Sequence, residues 1–233
     1  MDLDQQTIYE DNHLLIANKP VGLLSQGDHT GDPNLFDLLK AHLKSKYQKP
    51  GNVYLALIHR LDRPVGGLII FSKTSKAAER LHKMMLQGAI AKKYLVVCEG
   101  YPGSDQGDWQ HYIEKDEKKN KSRVFATPRE GAKRCALHYQ VLANVDNRSL
   151  LEIVLDTGRS HQIRAQLAFE SCPIVADSKY GAGRRESGNS LALFAYSLDF
   201  EHPVTHEPLS LRVYPETGTI WRPFTGFFPR SSS

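Results

Sequence analysis

At 233 residues, 40% hydrophobic and 24% charged, the chain has ordinary globular composition and enough length to bury a substantial core. No apolar run reaches the length of a membrane span, no internal repeat is present, and Met1-Asp2-Leu3-Asp4 lacks the apolar core of a secretory signal. The net charge of +4, with a pI near 8.9, is compatible with a polyanionic partner. The three cysteines, Cys98, Cys135 and Cys172, are far apart and form neither a CxxC pair nor a Cys/His metal spacing. They read as buried thiols in a reducing cytosol.

Residues 7–18 read as a strand or hairpin, with Leu14 to Ala17 as its apolar run, and Asn18-Lys19-Pro20-Val21-Gly22 turns the chain. Taken alone, Lys19 is a solvated lysine. Leu35, Leu39, Leu43 and Tyr47 recur at helical spacing behind Asn34, so residues 35–47 are expected to form an amphipathic helix capped by Asn34 and broken at Gly51-Asn52.

The next stretch is His59-Arg60-Leu61-Asp62-Arg63-Pro64-Val65-Gly66-Gly67, followed by Leu68 to Phe71. It sets one carboxylate between two guanidiniums, then a Pro-Gly-Gly turn, then a buried strand. Two readings are open on spacing alone. One is an ion-pair cluster capping a strand; the other is a reactive acid on a loop anchored to the core.

A second helix follows Thr74 or Ser75, with Ala77, Ala78, Leu81, Met84 and Met85 on its inner face and Gly88 at its end. Lys92 to Cys98 reads as a strand. Residues 101–134 read as loop-like, with a short strand at 109–113. The mixed-sign run Lys115–Lys121 could meet phosphate but reads first as a solvated hairpin tip. Strands are expected around Leu137–Val141 and Leu151–Leu155. Leu155 to Ala168 then reads as strand, Gly turn and helix. Ser160 is its expected N-cap, Ile163 and Leu167 its buried stripe, and Arg159 and Gln162 flank an anion-accepting helix start. Gly181-Ala182-Gly183 with Gly188 fails the spacing of a dinucleotide loop. Residues 196–201 and 208–214 read as a hairpin whose turn holds His202 and His206, taken as turn residues rather than metal ligands. The terminal residues 229–233 read as a disordered tail.

Five of these segments resemble, in order, the motifs of the RluA-type pseudouridine synthases. They are Lys19-Pro20-Val21-Gly22, His59-Arg60-Leu61-Asp62, Lys92-Lys93-Tyr94, Thr157-Gly158-Arg159-Ser160-His161-Gln162-Ile163-Arg164, and Leu193-Phe194-Ala195 with Phe200-Glu201-His202-Pro203. The chain departs from the family at Val65-Gly66-Gly67, Gln166, Ala176 and Phe194. The resemblance implies a single mixed α/β catalytic domain over residues 1–228, with a curved, largely antiparallel sheet flanked by helices and no separate S4-type module ahead of it. It implies Asp62 as the catalytic acid, Tyr94 against the uracil and Arg164 paired with Asp62. It also implies Lys19, His59, Arg60, Arg159, His161, Gln162 and Leu193 as residues lining the RNA site.

The implied reaction is an isomerisation of uridine in tRNA or large-subunit rRNA. No cofactor, nucleotide or metal is then expected, and the chain is expected to act as a cytoplasmic monomer. Two other classes are weighed against it: an RNA-binding protein of the same fold without turnover, and a glycoside or nucleoside hydrolase. A hydrolase asks for two carboxylates or a metal-bound water. Only Asp156 and Asp177 stand near the motifs as second acids.

Overall fold

The computed structural model describes residues 1–181 and 190–229. The glycines Gly183 and Gly188 and the last four residues of the tail lie outside this range. In chain order the elements are α1 (Leu3–Gln6), β1 (Thr7–Glu10), β2 (Leu14–Lys19), α2 (Leu35–Lys46), β3 (Ala56–Leu57), β4 (Gly66–Ser72), α3 (Ser75–Leu86) and β5 (Ala91–Glu99). They continue with β6 (Gln106–Asp116), β7 (Lys121–Phe125), β8 (Lys133–Val145), β9 (Arg148–Leu155), α4 (Gln162–Phe169), β10 (Leu193–Glu201), β11 (Pro208–Arg212) and a 3-10 turn over Arg222–Phe227. The chain divides into two compact units. The first is Met1–Ala91 with Ala195–Val213, and the second is Lys92–Phe194 with the segment from Tyr214.

In the first unit the strands run in the order β1-β2-β4-β10, with β11 paired to β10 and β3 to β4. β2 and β4 are antiparallel, in register from Leu14 opposite Ser72 to Lys19 opposite Gly67. All seven residues of β4 are buried, which is why its sequence is a continuous apolar run rather than an alternating one. α3 packs Ala78 and Leu81 onto Leu68, Ile70, Leu14 and Ile16, with Met84 and Met85 at the margin as expected for core filler. The expected N-caps of α2 and α3 hold. Asn34 accepts from the Asp37 N–H at 3.0 Å and Thr74 from the Ala77 N–H at 3.3 Å.

In the second unit β5-β9-β8-β6-β7 form an antiparallel array, and α4 packs Ala165 and Ala168 against Ile113, Cys135 and Val124 on one of its faces. The segment expected as mostly loop is an eleven-residue strand, β6, hairpinned onto β7. Its period-2 signal was hidden because one inward position is a histidine, His111, which scores as polar but is buried. All three cysteines are buried. Among the described residues no helix is long and apolar enough to cross a membrane.

Candidate active site

The expected site residues fall in both units. In the first, the carboxylate-bearing turn is held by one local backbone bond and by several long-range bonds to its backbone. The Val65 N–H donates to the Asp62 carbonyl at 2.9 Å and closes the turn. Ser25 grips the residue just before the acid, its hydroxyl accepting from the Leu61 N–H at 3.1 Å and donating to the Leu61 carbonyl at 2.7 Å. The Gly22 N–H donates to the Arg63 carbonyl at 2.9 Å. Asp62 itself is half-buried, so it is both held and reachable. A carboxylate fixed this way is preorganised to act as nucleophile or base.

Lys19, expected at the RNA site, sits inside the fold in this structure. It is fully buried, and its Nζ donates to the carbonyls of Pro20, Leu23 and Arg63 at 3.1, 2.6 and 3.2 Å. Burial pushes its pKa down to about 7, opposed by the charge of Asp62 and assisted by that of Arg63. The lysine is a strut tying the turn at 20–23 to the turn at 62–65. Arg63 departs from the sequence picture as well. Its Nε donates to the Gly22 carbonyl at 3.0 Å and its Nη1 to Asp32 at 2.6 Å, so its guanidinium turns to Asp32 rather than to its neighbour Asp62. His59 accepts the Ile70 N–H on Nε2 at 3.2 Å, which anchors the loop to β4. Arg60 is exposed, and among the described residues it has no ion-pair partner.

Behind the turn, Gly67 has φ +114°, and a Cβ there would overlap the backbone of Ala195. Only glycine fits that close approach. The Val65-Gly66-Gly67 departure from the family pattern therefore keeps the glycine the geometry requires.

In the second unit, Tyr94 is buried in β5 opposite Ile153. Arg164, on the buried face of α4, forms a two-point pair with Asp177: Nε to Oδ2 and Nη2 to Oδ1, both at 2.8 Å. Asp177 also accepts the N–H groups of Lys179 and Tyr180 at 3.0 and 3.1 Å. Burial raises its carboxyl pKa, but the Arg164 bonds and charge and the two N–H donors outweigh it and hold the group below its usual value. The Tyr180 ring lies under the Arg164 guanidinium, 5.2 Å from centroid to Cζ. Neither Asp177 nor Tyr180 was singled out from sequence as part of this assembly. Their signal was adjacency in the Ala176-Asp177-Ser178-Lys179-Tyr180 segment that follows α4.

The start of α4 also differs from expectation. The N-cap is His161, at φ 52° and ψ 25°, and not Ser160. Its ring Nδ1 is 2.9 Å from the Tyr180 hydroxyl. Gln162 is 3% exposed and turns inward, away from any anion. Its Oε1 accepts from Thr157 and the Arg159 N–H at 2.7 and 3.0 Å, and its Nε2 donates to the Ala136 carbonyl at 3.0 Å. It locks the Gly turn. Arg159 is exposed, with Nε donating to the Arg134 carbonyl at 3.2 Å. Leu193 is buried at the first position of β10. His202 is a turn residue as read: its Nδ1 accepts the N–H groups of Val204 and Thr205 at 3.2 and 2.9 Å.

The family profile described as RNA pseudouridylate synthase matches residues 13–169. The chain belongs to that family. It is 33% identical over 210 residues to the RNA pseudouridine synthase YlyB of Bacillus subtilis, covering 89% of this chain and 67% of that protein. It is 32% identical over 204 residues to ribosomal large subunit pseudouridine synthase C of Buchnera aphidicola, covering 84% of this chain and 62% of that protein. The chain thus spans about two thirds or less of the length of these curated relatives. Among solved structures, human RNA pseudouridylate synthase domain containing 4 has the same fold, with a TM-score of 0.77 at 24% identity over 92% of this chain and 90% of that one. The family match takes in Lys19, Asp62, Tyr94 and Arg164.

Proposed function

We propose that this protein is an RNA pseudouridine synthase that converts a specific uridine of structured RNA to pseudouridine, with Asp62 as the catalytic acid. The observation that carries the reading is the Asp62 turn. It is held by Ser25, Lys19 and Gly22 through backbone bonds, and it lies inside the segment that matches the family. The net reaction breaks the bond from N1 to C1′, rotates the uracil and joins C5 to C1′. The C5 proton is lost and N1 gains one, so no redox partner is consumed. Asp62 serves at the sugar, as nucleophile at C1′ or as base at the 2′ position. Tyr94 stacks on the uracil, and Arg164 is the counter-ion that keeps the acid charged. A guanidinium fork suits that task, because it is always charged and can serve more than one carboxylate; Asp177 takes its Nε–Nη2 edge.

The target base leaves its stack to reach the acid, and Arg60 takes the vacated space or the adjacent phosphate. Residues 1–228 act together as one catalytic domain, as a monomer in the cytoplasm. Several relatives, the Buchnera protein among them, are named for the ribosomal large subunit, so large-subunit rRNA is the first substrate to try, with tRNA beside it.

The test is pseudouridine mapping on rRNA and tRNA from cells with and without the gene, complemented by wild type or Asp62→Asn. One uridine modified by wild type and not by Asp62→Asn supports the reading. Full modification by Asp62→Asn overturns the mechanism, and free uracil from purified protein would indicate a hydrolase.

A further inference from the structure

We propose that the solvent-facing side of β6, β7 and β8 is a docking surface for the phosphates of the RNA substrate. This rests on the reading of the protein as an RNA enzyme and adds where the RNA backbone is held. Residues 115–134 contain eight Lys or Arg against three Asp or Glu, a net +5 that exceeds the +4 of the entire chain. The basic character of this protein therefore resides in one hairpin and the strand beside it.

The register decides which side these charges face. Tyr112 lies opposite Phe125 on β7 and opposite Arg134 on β8, and Glu114 lies opposite Arg123, so these five share one face. The alternate residues Ile113, Val124 and Cys135 pack on α4 from the other face. Arg123, Arg129 and Arg134 are exposed, and among the described residues none is in an ion pair. The Arg129 guanidinium sits 4.8 Å over the Phe125 ring, and Arg159 joins the group through its bond to the Arg134 carbonyl. The acids facing the same way are Asp108, which pairs with His138, and Glu114 and Asp116, with Glu130 in the following loop; Lys121, opposite Asp116, joins the cations. They leave the cations in excess. Like charges gathered without acid partners repel one another and contribute nothing to folding. Guanidinium forks grouped on a flat face match phosphate oxygens.

The surface is also tied to the family motif of its own unit. The Ser122 N–H donates to the Tyr180 hydroxyl at 2.6 Å, the Ser122 hydroxyl to the Ser160 carbonyl at 2.7 Å, and Lys179 Nζ to the Asn120 carbonyl at 2.7 Å. Phosphates docked on β7 are thereby held at a fixed distance from the loop that carries His161 and the helix that carries Arg164.

The test compares wild type with the triple variants Arg123→Gln/Arg129→Gln/Arg134→Gln and Arg123→Lys/Arg129→Lys/Arg134→Lys. Binding of a fluorescein-labelled, unmodified large-subunit rRNA transcript is measured across a salt series, alongside pseudouridine formation and thermal unfolding. The Gln variant should bind at least about tenfold more weakly at low salt, with the log–log salt slope reduced by about 2–3. The Lys variant should keep the wild-type slope, and both should unfold as wild type does because the side chains are exposed. Wild-type affinity and slope in the Gln variant would overturn the proposal even if wild type makes pseudouridine. A Gln variant that loses the slope while wild type isomerises no RNA would sustain the surface and remove the enzymatic reading.

Discussion

Arg164 and Asp177 are locked in a two-point pair, both contacts at 2.8 Å, with the arginine 5% and the aspartate 1% exposed. The pair links α4 to the segment after it and aims the guanidinium. Breaking one side leaves the other charge buried alone, which costs roughly 3–5 kcal/mol. Asp177→Asn should lower the unfolding midpoint and reduce kcat while changing KM for RNA little, because Arg164 loses its aim and the RNA contacts lie elsewhere. Adding Arg164→Met should restore much of the stability and none of the turnover. Denaturation curves and single-turnover assays on both variants check this. Wild-type kcat in Asp177→Asn would show that the pair has no part in the reaction.

Lys19→Met separates a strut from an RNA contact. The substitution leaves three carbonyls without their donor in a buried position, at a cost of about 2–5 kcal/mol. At a temperature where the variant stays folded, RNA affinity and its salt slope should match wild type. A residue touching phosphate would instead lower the slope by about 1. Urea denaturation and the salt series decide between the two.

Gly67→Ala tests the close approach behind the acid. The positive φ and the overlap with Ala195 act together, and we expect a loss of more than about 2 kcal/mol. Gly66→Ala, at the neighbouring position, is the comparison. Equal unfolding midpoints for the two variants would refute the steric argument.

Acid lability should trace in part to Glu10. Its carboxylate meets Lys73 Nζ at 2.6 Å, Lys46 Nζ at 2.9 Å and the Tyr47 hydroxyl at 2.8 Å. Burial raises its pKa, but these three hydrogen bonds prevail and bring it down to about 2. The folded pKa lies below the unfolded one, so the contribution is complete above about pH 4.5 and is lost as pH falls toward about 2. With exposed Lys46 screened by solvent, about 1–2 kcal/mol is expected. Glu10→Gln should flatten the stability profile over that window. An unchanged acid limb would remove Glu10 from the account.

Much of this protein is legible in its sequence. Local physics determines α2 and α3 with their caps at Asn34 and Thr74, because the capping bond and the helical stripe lie within a few residues of each other. β4 is readable as a buried run, and the family is readable from the motifs around Asp62 and Arg164, whose residue types and order survive without any coordinates. The tertiary structure alone decides the partners. Lys19 becomes a strut because Arg63, forty-four positions away, brings a carbonyl to it. Arg63 finds Asp32, and Gln162 finds Ala136, across turns that no spacing rule encodes. His111 reads as polar and is core, so β6 emerges only once β8 pairs beside it. Sequence sets which groups are present and what each prefers locally. Whether a charged side chain serves solvent, substrate or backbone depends on which distant carbonyl or carboxylate the fold places within hydrogen-bonding reach.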